Sequence, residues 1–513
     1  MGIPCLQAQE EQFFDDTTQE VYGPQATLFL TPADIKYNRA GWRPVVISID
    51  KMHRFTYKQQ AGNKLQDLGN EGTAAKSIFY VLPKQIGATS GFYVYDLYFQ
   101  EPYQFKYYDT KSPYTDGSIV LANYGSYVFD VCHSRSFNQH WHLGASFQTM
   151  LIDKEFIPKK IPGDRQVITY PFALFAHYKT DGARYQVLGG FYRKNHRVRE
   201  TGGISSNDTS LPMADWLKAK APIKNNLNPN DTVESSELRH QYHLYHQFAF
   251  TDQLQAYHEI VLRNKFNHFK AAKLSDDSKQ LLETPLRHPD STQDSTVMQT
   301  LGNEVGIKGD IDRFFYRYYY CHRKIKLQRQ YLAAVKELHE HYIGLQARLN
   351  LRDSIDWLHI GGTYLWDDLY KFHTAYQGAM GELAYEQLRY KPSLLAQRYE
   401  GNHRSWRKGK LTPPMARQVR GGMRLVLPGL LLRPHASFTR VEKPIYFKQP
   451  QQAQGPCTNI EPRQAKKHAD IMMLSADANL TLLAHFHVDN EITLAKVQGP
   501  DADVFRMPSF LIN

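Results

Sequence analysis

The stretch from Pro113 to Ile204 alternates apolar and polar side chains, and this period of two narrows the possible folds more than any other feature of the chain. In Trp141–Gln148 the odd positions Trp141, Leu143, Ala145 and Phe147 share one character, and His142, Gly144, Ser146 and Gln148 share the other. Successive side chains of a strand point to opposite faces, so the run reads as a strand with one apolar and one polar surface. Tyr127, Phe129 and Val131 oppose Asp130, Cys132 and Ser134 in the same manner. The polar Arg135–Gln139 between the two runs suits a hairpin. Tyr185, Val187 and Phe191, set against Arg184, Gln186 and Gly190, continue the series.

A soluble sandwich also alternates, because one face of each sheet is buried and the other is wet. Three features favour a transmembrane β-barrel. The runs are about 9–13 residues long, the length a tilted bilayer-spanning strand needs. Aromatics such as Tyr127 and Trp141 stand near the run ends, where interfacial girdles lie. The polar faces carry Arg, Gln, His and Ser, which suit a wet interior. The mean hydropathy of −0.54 is no objection, since a barrel shows lipid only every second residue. No apolar run is long enough for a transmembrane helix. An aromatic content of 13% agrees with strands and girdles.

Read in order, residues 1–9 look like the remnant of a signal peptide, with Gln7-Ala8-Gln9 near a plausible cleavage point. Residues 10–110 are irregular. Strands are expected at Ala26–Leu30 and Pro44–Ser48, and the segment is open between a plug, a periplasmic lead-in and the first barrel strands. Leu68-Gly69-Asn70-Glu71-Gly72-Thr73 has the glycines of a phosphate loop, but no Gly-Lys-Ser/Thr follows, so a turn is expected. Residues 111–513 form the barrel domain. Pro171 falls on the polar parity of the run Ile168, Tyr170, Phe172, Leu174, an unfavourable place unless it marks an edge or bulge.

Further strands follow. Tyr242, Leu244, Phe248 and Phe250 oppose Arg239, Gln241, His243 and Gln247, and Ile343, Leu345, Ala347 and Leu349 oppose Gln346, Arg348 and Asn350. A single run is expected where Leu480, Leu482, Ala484, Phe486 and Val488 alternate with Thr481, His485 and His487. Long loops are expected near 196–236, 274–310 and 444–462, and the helical spacing of Leu332, Val335 and Leu338 admits a short helix over Tyr331–Glu340. The spacing suggests about 16–18 strands in a complete protein, within the range of such barrels.

The same residues carry a family resemblance. His53-Arg54-Phe55, Leu68 to Ala74, Lys111-Ser112-Pro113-Tyr114-Thr115, Gly125-Ser126, His133-Ser134-Arg135-Ser136-Phe137 and Gly202-Gly203-Ile204 resemble the putative porin family of Bacteroidota-type outer membranes. Gln449-Pro450-Gln451 and Met507-Pro508-Ser509-Phe510 resemble its later landmarks. The resemblance implies an outer-membrane β-barrel channel. It also implies strands beyond Asn513, so a missing C-terminal end is expected.

The expected function is a porin: passive diffusion of small hydrophilic solutes through the cell outer membrane, with outer-membrane lipid as the surrounding partner and no cofactor. Strand parity assigns to the lumen Asp130, His142, Ser146, Gln148, Arg184, Gln186, Arg239, Gln241, Arg313, Arg317, Gln346, Arg348, Arg424 and Arg433. Their arginines predict a positive lumen that prefers anions. The net charge of +11 fits that reading; no nucleic-acid module appears, and no nucleic-acid partner is expected. The four cysteines have no metal or redox spacing. The pairs His140/His142 and His485/His487 each lack a third metal ligand, and Asp367-Asp368 and Glu382/Glu386 have no fixed separation. No catalytic motif appears, so no enzyme is expected. The alternative is a secreted β-rich carbohydrate-binding protein or hydrolase, with Trp141, Trp357, Trp366 and Trp406 as sugar platforms.

Overall fold

The computed structural model describes residues 26–39, 41–48, 52–122, 126–154, 165–200, 233–274, 285–352, 356–409, 411–448, 460–482 and 486–513. Residues 1–9, and with them the leader expected there, lie outside the described part.

One antiparallel sheet of nineteen strand segments, curled into a barrel, dominates the chain. Met415–Met423 and Leu425–Leu427 both pair with Leu430–Glu442 and continue one another past Arg424, so eighteen positions go round the wall. Ladders run neighbour to neighbour from Tyr114–Leu121 to Phe510–Ile512. The strand order sets these two side by side, though no residue-by-residue ladder among the described residues joins them.

The alternation sets the faces. On Val233–Ala249 the even Tyr242, Leu244 and Phe248 are exposed outward, while Arg239, Gln241 and His243 on the odd face are buried. On Trp141–Asp153 the exposed Trp141, Leu143 and Phe147 share the outer face. Pro171 sits on the buried parity with Thr169, Ala173 and Phe175. An outer surface of exposed Leu, Ile, Phe and Tyr, present on most of the long strands, is what lipid contact requires.

Many strands exceed the expected length. Val233–Ala249 and Gln255–Ala271 have 17 residues each, and Leu332–Arg352 has 21. About 10 residues suffice to cross a bilayer, so these hairpins project beyond it. Short connections such as Asp312-Arg313 gather at one end of the barrel, and long ones such as 390–414 at the other. In outer-membrane barrels, short turns lie on the periplasmic side and long connections on the exterior.

Five expectations need correction. Tyr331–Glu340 is not helical: the ladder Glu340↔Arg323 to Lys336↔Leu327 holds it in a strand, and cross-strand hydrogen bonds override the local spacing. The second half of the expected 274–310 loop is the strand Thr292–Ile311, whose outer face is interrupted by Gln299 and Asn303 and so shows little contrast. The run at 480–488 is a hairpin in which Leu482 faces Phe486; His485 lies outside the described residues. The 196–236 loop is narrower, since strands reach Arg199 and restart at Val233, and in the 444–462 loop Ile445–Lys448 pairs with Glu461–Gln464.

Residues 26–110 form a small body of their own. Leu28–Leu30 pairs with both Arg43–Pro44 and Tyr107–Asp109, which ties the start of the segment to its end. Pro44 ends the short strand that was expected to run on to Ser48. The rest is turns and short helices, with Leu30, Tyr95, Tyr98, Phe99, Phe105 and Tyr107 buried against the inner wall residues Phe175, Leu188 and Tyr192.

Candidate functional site

The candidate site is the boundary between residues 26–110 and the inner face of the barrel. The segment has few backbone ladders of its own, and buried polar groups must find partners. The wall supplies them at three levels.

Toward the short-turn end, a capping box sets the helix Pro32–Lys36: the Thr31 amide and hydroxyl both donate to the Asp34 carboxylate at 2.8 Å. The Lys36 ammonium thereby reaches Glu259 and lies 2.7 Å from Glu304. Burial alone would lower its pKa, but the two carboxylates outweigh this and hold it above the ordinary lysine value. Glu304 also pairs with Arg317, which donates to the Tyr257 hydroxyl at 2.7 Å. Lys308 donates to the Ile35 carbonyl, Asn38 to Asp310 at 2.5 Å, and Arg348 to the Asn38 carbonyl at 3.1 Å.

At mid-height, Asp96 and Glu101 meet a basic wall. Arg239 pairs with Asp96 and with the buried Glu237, Lys265 lies 3.1 Å from Asp96, and Arg263 pairs with Glu101. Lys194, fully buried, donates to the Tyr98 carbonyl. His196 lies 2.7 Å from the Gly72 carbonyl and stacks on Tyr98. Gly72 takes φ +82°, and a Cβ there would stand 2.7 Å from Val167, so glycine lets the turn press against the wall. Burial pushes the Tyr57 phenol up to about 12, against a hydrogen bond from Gln148.

Toward the long connections, the Ala88 amide donates to Glu340 at 2.8 Å, and Arg323 binds both Glu340 (3.1 Å) and the Ala88 carbonyl (2.7 Å). The Leu394 and Leu395 amides donate to the Thr89 and Ser90 carbonyls.

Two cavities remain. One of about 640 Å³ opens at the short-turn mouth between Asp34 and Trp42 of the segment and Arg184, Gln186 and Gln247. One of about 300 Å³ lies between Tyr57, Gln100 and Gln104 and the wall residues Asp130, Ser146 and Gln148.

Of the residues assigned to the lumen by parity, Asp130, Ser146, Gln148 and Gln186 thus line cavities. His142 is buried, 2.7 Å from the Ser136 hydroxyl and stacked on His177. Gln241 donates to the Gln100 carbonyl, Arg317 to Gln346 at 3.0 Å and Arg433 to Asn479 at 2.7 Å. Arg184 lines the short-turn cavity from a turn, Arg313 lies in the turn before Phe314, and Arg424 lies at the break between Met415–Met423 and Leu425–Leu427, so all three stand outside the regular strands on which parity was read. Arg313 there donates to the Leu351 carbonyl. Sequence reading missed Lys194, His196, Glu237, Glu259, Lys265, Glu304, Lys308, Arg323 and Glu340. Lys194 and His196 continue the parity of Gln186, a signal already in the sequence.

The other candidates disperse. His140 precedes the strand that holds His142, so the pair shares no face; among the described residues no group of three or more possible ligands could hold a metal ion. Asp367 and Asp368 sit in a turn, paired with Lys391 and Arg389. Trp141 and Trp366 are exposed on the outside of the barrel, and Trp406 packs on Tyr399.

No curated protein matches the sequence. Solved structures match the fold at low identity. The copper transporter OprC aligns with TM-score 0.55 and 11% identity over 78% of this chain and 63% of its own. The ferric preacinetobactin receptor BauA from Acinetobacter baumannii gives 0.52 and 11% over 92% and 78%. The FrpB iron transporter from Neisseria meningitidis (F5-1 variant) gives 0.52 and 9% over 76% and 64%. The chain thus spans less than two thirds of OprC and of FrpB. A family model described as "Putative porin" matches residues 47–513. With that match spanning most of the barrel and of the segment inside it, the chain belongs to the putative porin family.

Proposed function

We propose that the protein is an outer-membrane channel for small hydrophilic solutes that is stoppered by its own residues 26–110 and conducts when that segment shifts. One observation carries the reading: the segment meets the inner wall through ion pairs at Lys36, Asp96 and Glu101, and through carbonyls at Ile35, Gly72, Ala88 and Tyr98. The polar contacts of this stopper release at low net cost, because water replaces each lost partner, which leaves the apolar packing of Tyr98, Phe99 and Phe105 against the wall as its main restraint. The similar solved structures are an iron transporter, a copper transporter and a ferric preacinetobactin receptor, which supports a role in transport.

Anion preference belongs to the open state. With the segment seated, its carboxylates and carbonyls occupy Arg239, Lys194, Lys308 and Arg348. With it displaced, those cations face the lumen and favour anions.

Planar-bilayer recording of the full chain tests both parts. The wild type is expected to stay mostly closed with brief openings, and Lys36→Ala to lengthen them. The openings should reverse on the anion side in a salt gradient. A steady conductance from the wild type would reject the stopper, and a cation-side reversal would reject the charge argument.

A further inference from the structure

The outward faces of Phe314–Arg329 and Leu332–Arg352 change character along their length. From the short-turn end they carry Phe314, Tyr318, Leu345 and Leu349, all exposed. Tyr320 and Trp366 close this apolar stretch, with His341 between them: its Nδ1 is 2.7 Å from the Tyr320 hydroxyl, and its ring lies 5.1 Å from the Trp366 ring. Beyond them the outer face is cationic. His322 stacks on His341, and Lys324, Lys326 and His339 follow.

The height can be worked out. From Phe314 to Lys324 is about 10 residues, or about 34 Å along the strand. At a tilt of about 40° this is roughly 25 Å of membrane normal, the height of the apolar band of such a barrel. Lys324 and Lys326 therefore stand at the headgroup level of the outer leaflet, on the side of the long connections.

Two lysines and a histidine of this face already converge on one anion. Lys324 lies 2.5 Å and Lys326 3.8 Å from the Glu337 carboxylate, and the His339 Nε2 lies 3.1 Å from it. His322 adds a ring nitrogen 3.0 Å from His339. All share the outer face with Tyr318 and Leu345, away from residues 26–110, so their role is not to hold the stopper. We propose that Lys324, Lys326 and His339 form a seat for the phosphate of an outer-leaflet lipid, with Glu337 occupying it when no lipid is bound. A phosphate has more acceptor oxygens and more charge than a carboxylate, and so satisfies two ammonium groups better. The proposal rests on the barrel's place in the membrane and not on the stopper.

Native mass spectrometry of the full chain in neutral detergent tests it, with diphosphoryl lipid A and its dephosphorylated form as probes. The wild type is expected to retain the phosphorylated lipid in preference. Lys324→Ala with Lys326→Ala should weaken retention about tenfold or more. Glu337→Gln should strengthen it, because the internal competitor loses its charge. Lys58→Ala with Lys76→Ala, an equal change of charge within the N-terminal segment, should leave it unchanged. Equal retention of both lipids, retention unaffected by loss of the two outward lysines, or an equal loss in the control pair would overturn the proposal. Displacement of the lipid by inorganic phosphate alone would overturn the lipid as the ligand. Unaltered heat-shifted gel mobility of each variant shows that it remains folded.

Discussion

Arg239 of the barrel wall and Asp96 of the N-terminal segment, 143 positions apart, form an ion pair at the lumen boundary. Arg239 is 3% exposed and shares its guanidinium with Glu237, which is 0% exposed. Removing Arg239 would leave Glu237 buried with only Lys265, 3.4 Å away, and Asn267 as partners. Arg239→Ala is therefore expected to destabilise the seated segment by about 3–5 kcal/mol, the usual cost of breaking a buried pair from one side. Asp96→Asn should cost much less, because Asp96 is partly exposed. Urea titration of protease protection over residues 52–110 compares them, and equal effects would refute the assignment.

The two faces of Trp141–Asp153 make a second comparison. Leu143 is 38% exposed on the outer face, whereas Ser146 lines the inner cavity. Leu143 lies two positions from Trp141, between interface and midplane, so Leu143→Arg is expected to cost about 1–2 kcal/mol, and Ser146→Arg less, since it enters a wet space beside Asp130. Refolding into lipid vesicles under urea measures both, and equal tolerance would argue against the assigned faces.

Gly87 concerns the anchor toward the long connections. A Cβ there would overlap the Tyr342 hydroxyl and the Glu340 carboxylate. Gly87→Ala should disturb the Glu340–Ala88 hydrogen bond and cost about 1–3 kcal/mol. Faster cleavage confined to residues 84–95 is the expected sign; unchanged cleavage would mean that the wall yields instead.

Glu71 gives the segment a pH dependence. Burial raises its pKa, against a hydrogen bond donated by the Tyr57 amide at 3.0 Å. A carboxyl with a raised folded pKa takes up a proton on folding. Its contribution to stability is full below the ordinary Glu value and is lost as pH rises through the raised value. Protection of residues 57–73 should thus increase as the medium is acidified through that window, and Glu71→Gln should remove this component. A wild-type response retained in the variant would exclude Glu71 as its source.

The sequence by itself determined the wall. Side chains alternate with period two in any strand, so Trp141 and Leu143 had to part from His142, and Tyr242 and Leu244 from Arg239 and Gln241, whatever the neighbouring strands. Where that contrast fades, as in Gln255–Ala271 and Thr292–Ile311, the strands were not legible, because their pairing rests on backbone ladders that any side chain permits. The tertiary structure alone decided what fills the lumen. Residues 26–110 have no period, since they form turns and short helices with few strands, and many of their buried polar groups are satisfied by the wall. That Lys36 would meet Glu259 and Glu304, and Ala88 meet Arg323, depends on which parts of the curled sheet face the same interior space, and no local pattern encodes distances across a barrel.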